Sequence, residues 1–141
     1  MGTVLVYSDD PAVRERVQLA VGRRPDPELG SIDWVEAADA PTVTRLVDAG
    51  GIDVCVLDAE AAPTGGMGIS RSLKNEVADC PLMLLLVARQ DDRWLARWSL
   101  ADLALRHPAD PADLTDAVVR LLKLRRDRTP VTTGGSRVRR R

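Results

Sequence analysis

The chain has 141 residues, 45% hydrophobic and 29% charged, with two cysteines and one histidine. That size and mix suit one globular domain, large enough for a five-stranded sheet with helices on both faces; they exclude a disordered chain, a disulfide framework and a two-histidine metal site. From Arg125 onward seven Arg and one Asp carry +6, so the formal net charge of −1 leaves −7 on residues 1–124, an acidic body that argues against a nucleic-acid-binding core.

Apolar period and punctuation predict alternating strands and helices. Val4-Leu5-Val6-Tyr7 reads as a short strand, followed by Ser8-Asp9-Asp10 and a helix capped by Asp10, with Pro11 in its first turn and Val13, Val17, Leu19, Ala20 and Val21 along it. A polar stretch with Pro25, Pro27 and Gly30 leads to Ile32-Asp33-Trp34-Val35-Glu36, whose alternation predicts a half-exposed edge strand. Asp39 caps a second helix that buries Val43, Leu46 and Val47 and stops at Gly50-Gly51.

The third strand runs from Ile52 to Leu57 and delivers Asp58 to the loop Ala59-Glu60-Ala61-Ala62-Pro63-Thr64-Gly65-Gly66. A helix from about Met67 to Ala78 follows, then the uninterrupted apolar run from Leu82 to Val87, as expected of a strand covered on both faces. Asp91-Asp92 opens a fourth helix carrying Trp94, Leu95 and Trp98; Leu103-Ala104-Leu105 is a short fifth strand; Asp110 and Pro111 start a last helix that buries Leu114, Val118, Leu121 and Leu122. The two Trp, one turn apart, serve either core packing or an interface. From about Asp127 the chain loses period and ends in Arg137, Arg139, Arg140 and Arg141, which reads as a disordered basic tail.

Every apolar run is far shorter than the roughly 20 residues needed to cross a bilayer, and a cytoplasmic location is expected. Cys55 and Cys80 read as small core residues, because no Cys or His stands at ligand spacing from either. Gly65-Gly66-Met67-Gly68 lacks the Lys and hydroxyl of a phosphate-binding P-loop and reads as a loop.

Five strand–helix units with short connections imply a parallel sheet with right-handed crossovers. In such a sheet the residues after each strand converge on one edge. Ser8, Asp9 and Asp10, then Asp58, then Val87 and Ala88, then His107-Pro108 meet there. Two carboxylates at that edge suit a hard divalent ion, Mg²⁺ completed by water and a backbone carbonyl, and a carboxylate beside it can accept a phosphoryl group.

This arrangement resembles the receiver domain of bacterial two-component response regulators, of the atypical, stand-alone kind found in actinobacteria, over nearly all of residues 1–124, with 125–141 as tail. The resemblance rests on Val4-Leu5-Val6-Tyr7-Ser8-Asp9-Asp10-Pro11-Ala12-Val13-Arg14, on Val54-Cys55-Val56-Leu57-Asp58, on His107-Pro108 and on Asp110-Pro111-Ala112-Asp113-Leu114. It implies a flavodoxin-like (βα)5 fold, no enzyme, and Asp58 as phosphoacceptor. It also implies weak Mg²⁺ binding by Asp9, Asp58 and the Glu60 carbonyl, with Ser8 acting through water. Sensor kinases or other regulatory proteins are the implied partners, and a homodimer through the fourth helix, fifth strand and last helix is in keeping with it.

Four departures bear on mechanism. Ser8 stands where the family has an acidic residue, Val87 where it has the Thr or Ser that bonds the phosphoryl group, His107 where it has Lys, and Ala104 where it has the switch aromatic. Pro63 also falls one residue late. The expectation is a regulator acting by protein–protein interaction with phosphorylation of Asp58 impaired. The alternatives are a working acceptor that drains phosphoryl groups in a relay and a nucleic-acid-associated protein that uses the Arg-rich tail.

Overall fold

The computed structural model describes residues 2–89 and 97–128. The predicted helix opening at Asp91-Asp92 with Trp94 and Leu95, and the tail from residue 129, lie outside the described residues.

Five strands, β1 (Gly2–Tyr7), β2 (Ile32–Ala37), β3 (Val54–Asp58), β4 (Leu82–Val87) and β5 (Leu103–Arg106), form one sheet in the order β2-β1-β3-β4-β5, every pair parallel. The helices are α1 (Pro11–Val21), α2 (Ala40–Ala49), α3 (Gly66–Glu76) and α4 (Pro111–Arg128), with a 3-10 turn at Pro27–Leu29.

The two faces of the sheet sort by the period of two that a strand imposes. Val4, Val6, Val54, Val56, Leu82, Leu84 and Leu86 pack with Val17 and Val21 of α1 and Leu114, Val118, Leu121 and Leu122 of α4. The alternate residues Leu5, Tyr7, Cys55, Leu57, Met83, Leu85 and Val87 pack with Val43 and Val47 of α2 and Ile69 and Leu73 of α3. All of β3 and β4 is buried, which explains their unbroken apolar runs, whereas edge strand β2 keeps Asp33 and Glu36 in solvent.

Several boundaries move for identifiable reasons. Strand β1 begins at Gly2, which pairs with Ile32. Strand β3 begins at Val54 and not Ile52, since Asp53 spends its side chain on the Thr3 amide at 2.9 Å, and it takes in Asp58, which pairs with Leu86. Leu19 of α1 is 77% exposed although it follows a buried run.

Helix α4 runs on to Arg128, past the body boundary expected at Leu124. Arg125 is drawn into the fold by a two-pronged pair with Asp79, at 3.0 and 3.2 Å, and a bond to the Cys80 carbonyl at 3.1 Å. Both cysteines are free and buried, and burial pushes both thiols up, away from reactive thiolate. No described helix is long and apolar enough to cross a membrane.

Candidate functional site

The strand order reverses between β1 and β3, and the crevice outside their carboxyl ends is where open α/β sheets bind ligands. Two of the predicted site residues sit there in direct contact. Asp58 ends β3 with 7% of its surface exposed, and Ser8 follows β1 with none. The Ser8 hydroxyl donates to Asp58 Oδ2 at 2.8 Å. It also accepts from the Asp10 amide at 3.0 Å, so its single proton is committed to the carboxylate, which can only accept when ionised. Asp58 Oδ1 accepts from the Glu60 amide at 2.8 Å.

Asp9 points into solvent and reaches the same loop, where its Oδ1 accepts from the Ala62 amide at 3.1 Å. Asp10 caps α1 through the Ala12 amide, as expected. A third tie comes from Tyr7, whose hydroxyl donates to the Thr64 carbonyl at 2.5 Å. The loop between Asp58 and α3 is thus fastened at Glu60, Ala62 and Thr64 to the carboxylates and tyrosine around it.

The start of α3 presses on the same strand end. A Cβ on Gly66 would lie 2.8 Å from Leu57 Cβ and 3.0 Å from the Asp58 carbonyl oxygen, and one on Gly65 would lie 2.5 Å from the Ala59 carbonyl oxygen. Glycine at these positions is a packing requirement of the site rather than a mark of loop mobility.

The remaining predicted residues lie at the end of β4 and just after β5. Val87 ends β4, buried, opposite Arg106 of β5. The His107 amide donates to the Val87 carbonyl at 2.8 Å, while its ring meets Arg16 of α1, with Nη1 3.4 Å from Nε2. A guanidinium can only donate, so as a hydrogen bond this contact requires Nε2 to accept. His107 therefore has its ring partner in Arg16.

Charge at the site is negative. Burial raises the Tyr7 phenol above its ordinary value, and the carboxylates of Asp9, Asp58 and Asp39 push it further. The oxygen groups along this loop include the carboxylates of Asp58 and Asp9 and the hydroxyl of Ser8. All are hard ligands of the kind Mg²⁺ accepts, with water filling the remaining positions. Among the described residues no group of three or more His, Cys, Asp or Glu side chains is placed to hold a metal ion. In chemical kind these oxygen donors fit Mg²⁺.

Sequence reasoning missed Arg14 and Tyr7. Arg14 Nη1 donates to the Ser8 carbonyl at 2.7 Å, and its Nε holds Glu36 of β2 at 2.8 Å, which with Gln18 keeps the Glu36 carboxyl below its usual range. A basic residue one turn below the Asp10 cap was the available signal for Arg14. For Tyr7 it was the only tyrosine of the chain placed directly before the acidic cluster.

A doubly wound parallel sheet in this order, with an acidic cluster at the switch between its first and third strands, defines a CheY-like receiver fold. Solved receivers agree with it. The response regulator TrrA of Thermotoga maritima in complex with Mg²⁺-BeF superposes with a TM-score of 0.71 at 24% identity, covering 86% of this chain and 100% of that one. A CheY-like receiver domain protein of Methanospirillum hungatei gives 0.72 at 15% identity over 92% and 99% of the two chains. Chemotaxis regulator CheY4 of Vibrio cholerae gives 0.72 at 18% identity over 86% and 99%. At such identities these likenesses speak for the fold.

No model of a known protein family matches the chain. An uncharacterized response regulatory protein of Mycobacterium tuberculosis, found in two strains, is 52% identical over 120 residues, spanning 85% of this chain and 90% of the relative. The chain belongs to the response regulators of two-component signalling, receiver proteins that act as regulators and not as enzymes.

Proposed function

We propose that this receiver is an atypical response regulator in which Asp58 is a slow phosphoacceptor and signalling runs chiefly through protein–protein contact. The observation that carries this reading is the environment of Asp58. Its two carboxylate oxygens are already bonded by Ser8 and Glu60, and the residues at the family's hydroxyl and lysine positions are Val87 and His107.

A phosphoryl group arriving on Asp58 brings charge that preorganised donors must stabilise. Valine has no donor, and an imidazole whose ring is engaged by Arg16 is a weak substitute for an ammonium. Asp9, Asp58 and the Glu60 carbonyl would hold Mg²⁺, which supplies charge neutralisation of the transferring group when bound. With Ser8 in place of a third carboxylate that binding is weak.

The same substitutions remove the reporters of phosphorylation. A ligand shifts an equilibrium only through contacts that differ between the two states, and Val87 and Ala104 offer none to a phosphoryl group. A sensor kinase or another cytoplasmic regulatory protein is the partner class. Homodimerisation through the face that carries Trp98, β5 and α4 belongs to the same reading, supported by Trp98 and Leu100, which are 46% and 42% exposed. Arg71 lies 4.8 Å from the Trp98 ring centroid and bonds the Trp98 carbonyl at 2.7 Å, contacts that support reading this half-exposed ring as an interface anchor.

Intact-mass measurement after incubation with acetyl phosphate and Mg²⁺ tests the acceptor. A partial phosphoryl adduct on the wild type that is missing from Asp58→Asn is the expected result. Equal modification of both, or of neither, removes Asp58 from the role.

A further inference from the structure

We propose that Ser8, held in place by Arg14, is a positioning residue that stands in for part of a divalent cation at Asp58. The proposal rests on the reading of Asp58 as the acceptor carboxylate, and it assigns Ser8 a direct role, not one through water. A carboxyl group as buried as that of Asp58 must have its oxygens met by donors or by a cation. Here Glu60 N–H serves Oδ1 and Ser8 O–H serves Oδ2, both at 2.8 Å.

The direction of the second bond is forced from the other side. Asp10 N–H occupies the acceptor face of the Ser8 oxygen at 3.0 Å. The backbone of Ser8 is held as well: Arg14 Nη1 bonds its carbonyl at 2.7 Å, and Arg14 is itself anchored by Glu36 at 2.8 Å. A continuous polar chain, Glu36 to Arg14 to Ser8 to Asp58, therefore runs from the edge strand to the acceptor.

A carboxylate at position 8 could not make this bond. It would face Asp58 as a like charge in a water-poor site, and the pair would call for a metal ion between them. Serine replaces that repulsion with a donor. The hydroxyl lowers the need for the cation and removes one of its ligands by the same substitution.

Thermal unfolding in EDTA and in about 20 mM Mg²⁺, with calorimetric Mg²⁺ binding, tests the role on wild type, Ser8→Ala, Ser8→Asp and Arg14→Gln. Wild type should melt within about 1 °C under the two conditions, because a weakly bound ion shifts the folding equilibrium little. Ser8→Ala, nearly equal in volume, should melt lower in EDTA and recover part of the loss in Mg²⁺. Arg14→Gln should gain the same Mg²⁺ response although it keeps the serine. Ser8→Asp should bind Mg²⁺ at least about tenfold more tightly than wild type, since added ligand charge raises affinity.

The proposal is overturned if Mg²⁺ raises the wild-type melting temperature as much as that of Ser8→Asp, or if Ser8→Ala and wild type respond alike to the ion. An Arg14→Gln protein that is destabilised with no gain in Mg²⁺ response would remove Arg14 from the positioning role. None of these readouts requires phosphoryl transfer. A chain whose Asp58 took no phosphoryl group would still pass or fail them.

Discussion

The Tyr7 hydroxyl donates to the Thr64 carbonyl across 57 residues of sequence, tying the end of β1 to the loop that leaves Asp58. Tyr7→Phe removes that tie and nothing else of comparable size, and should cost about 1 kcal/mol in urea unfolding. It should also raise amide exchange in residues 59–65.

The same residue predicts an alkaline limb of stability. The folded phenol titrates above its ordinary value because of burial and the carboxylates of Asp9, Asp58 and Asp39. Below about pH 10 both states keep the proton and the contribution is whole; above it the unfolded chain ionises first, and stability drains away until the folded phenol ionises too. Tyr7→Phe should flatten part of that decline. Lys123, raised by its bonds to Asp26 and Glu28, loses its contribution over the same alkaline range and accounts for decline that persists. Tyr7 is the only tyrosine, so phenolate absorbance reports it alone.

Two glycines of α3 should respond in opposite directions. Gly66→Ala drives a methyl into Leu57 and the Asp58 carbonyl, and should destabilise by about 1–3 kcal/mol. A Cβ on Gly68 meets nothing within 4 Å, so Gly68→Ala should stabilise by about 0.5–1 kcal/mol through helix propensity. Denaturant midpoints of the two variants measured side by side check both signs.

The basic end of α4 should divide by contact and not by charge. Arg125, with 12% of its side chain exposed, grips Asp79 with two nitrogens, and Arg125→Ala should cost about 1–2 kcal/mol. Arg128 is exposed, and Arg128→Ala should stay within about 0.5 kcal/mol of wild type by the same melt.

Much of the fold was legible because its signals are local. The apolar run Val4–Tyr7, the unbroken run Leu82–Val87 and the caps Asp10, Asp39 and Asp110 each act within a few residues, and each produced the element expected of it. The convergence of Ser8, Asp9 and Asp58 followed from topology alone. What the sequence hid was the wiring among them. Ser8 to Asp58 spans 50 residues and Tyr7 to Thr64 spans 57, and no periodicity encodes which oxygen a hydroxyl will choose. The exposure of Leu19 was hidden as well, since a helix that ends in Leu-Ala-Val does not announce which of the three leaves the core.

On the function proposed above, Asp58 accepts a phosphoryl group slowly because Val87 and His107 stand where a hydroxyl and an ammonium belong. The most direct test is the rate at which the acetyl phosphate adduct appears, in Mg²⁺, on wild type and on the Val87→Thr/His107→Lys double variant, with Asp58→Asn as the blank. Wild type should label slowly, the double variant faster by on the order of tenfold or more, and the blank not at all. Equal rates for wild type and the double variant, or an adduct on Asp58→Asn, would contradict it.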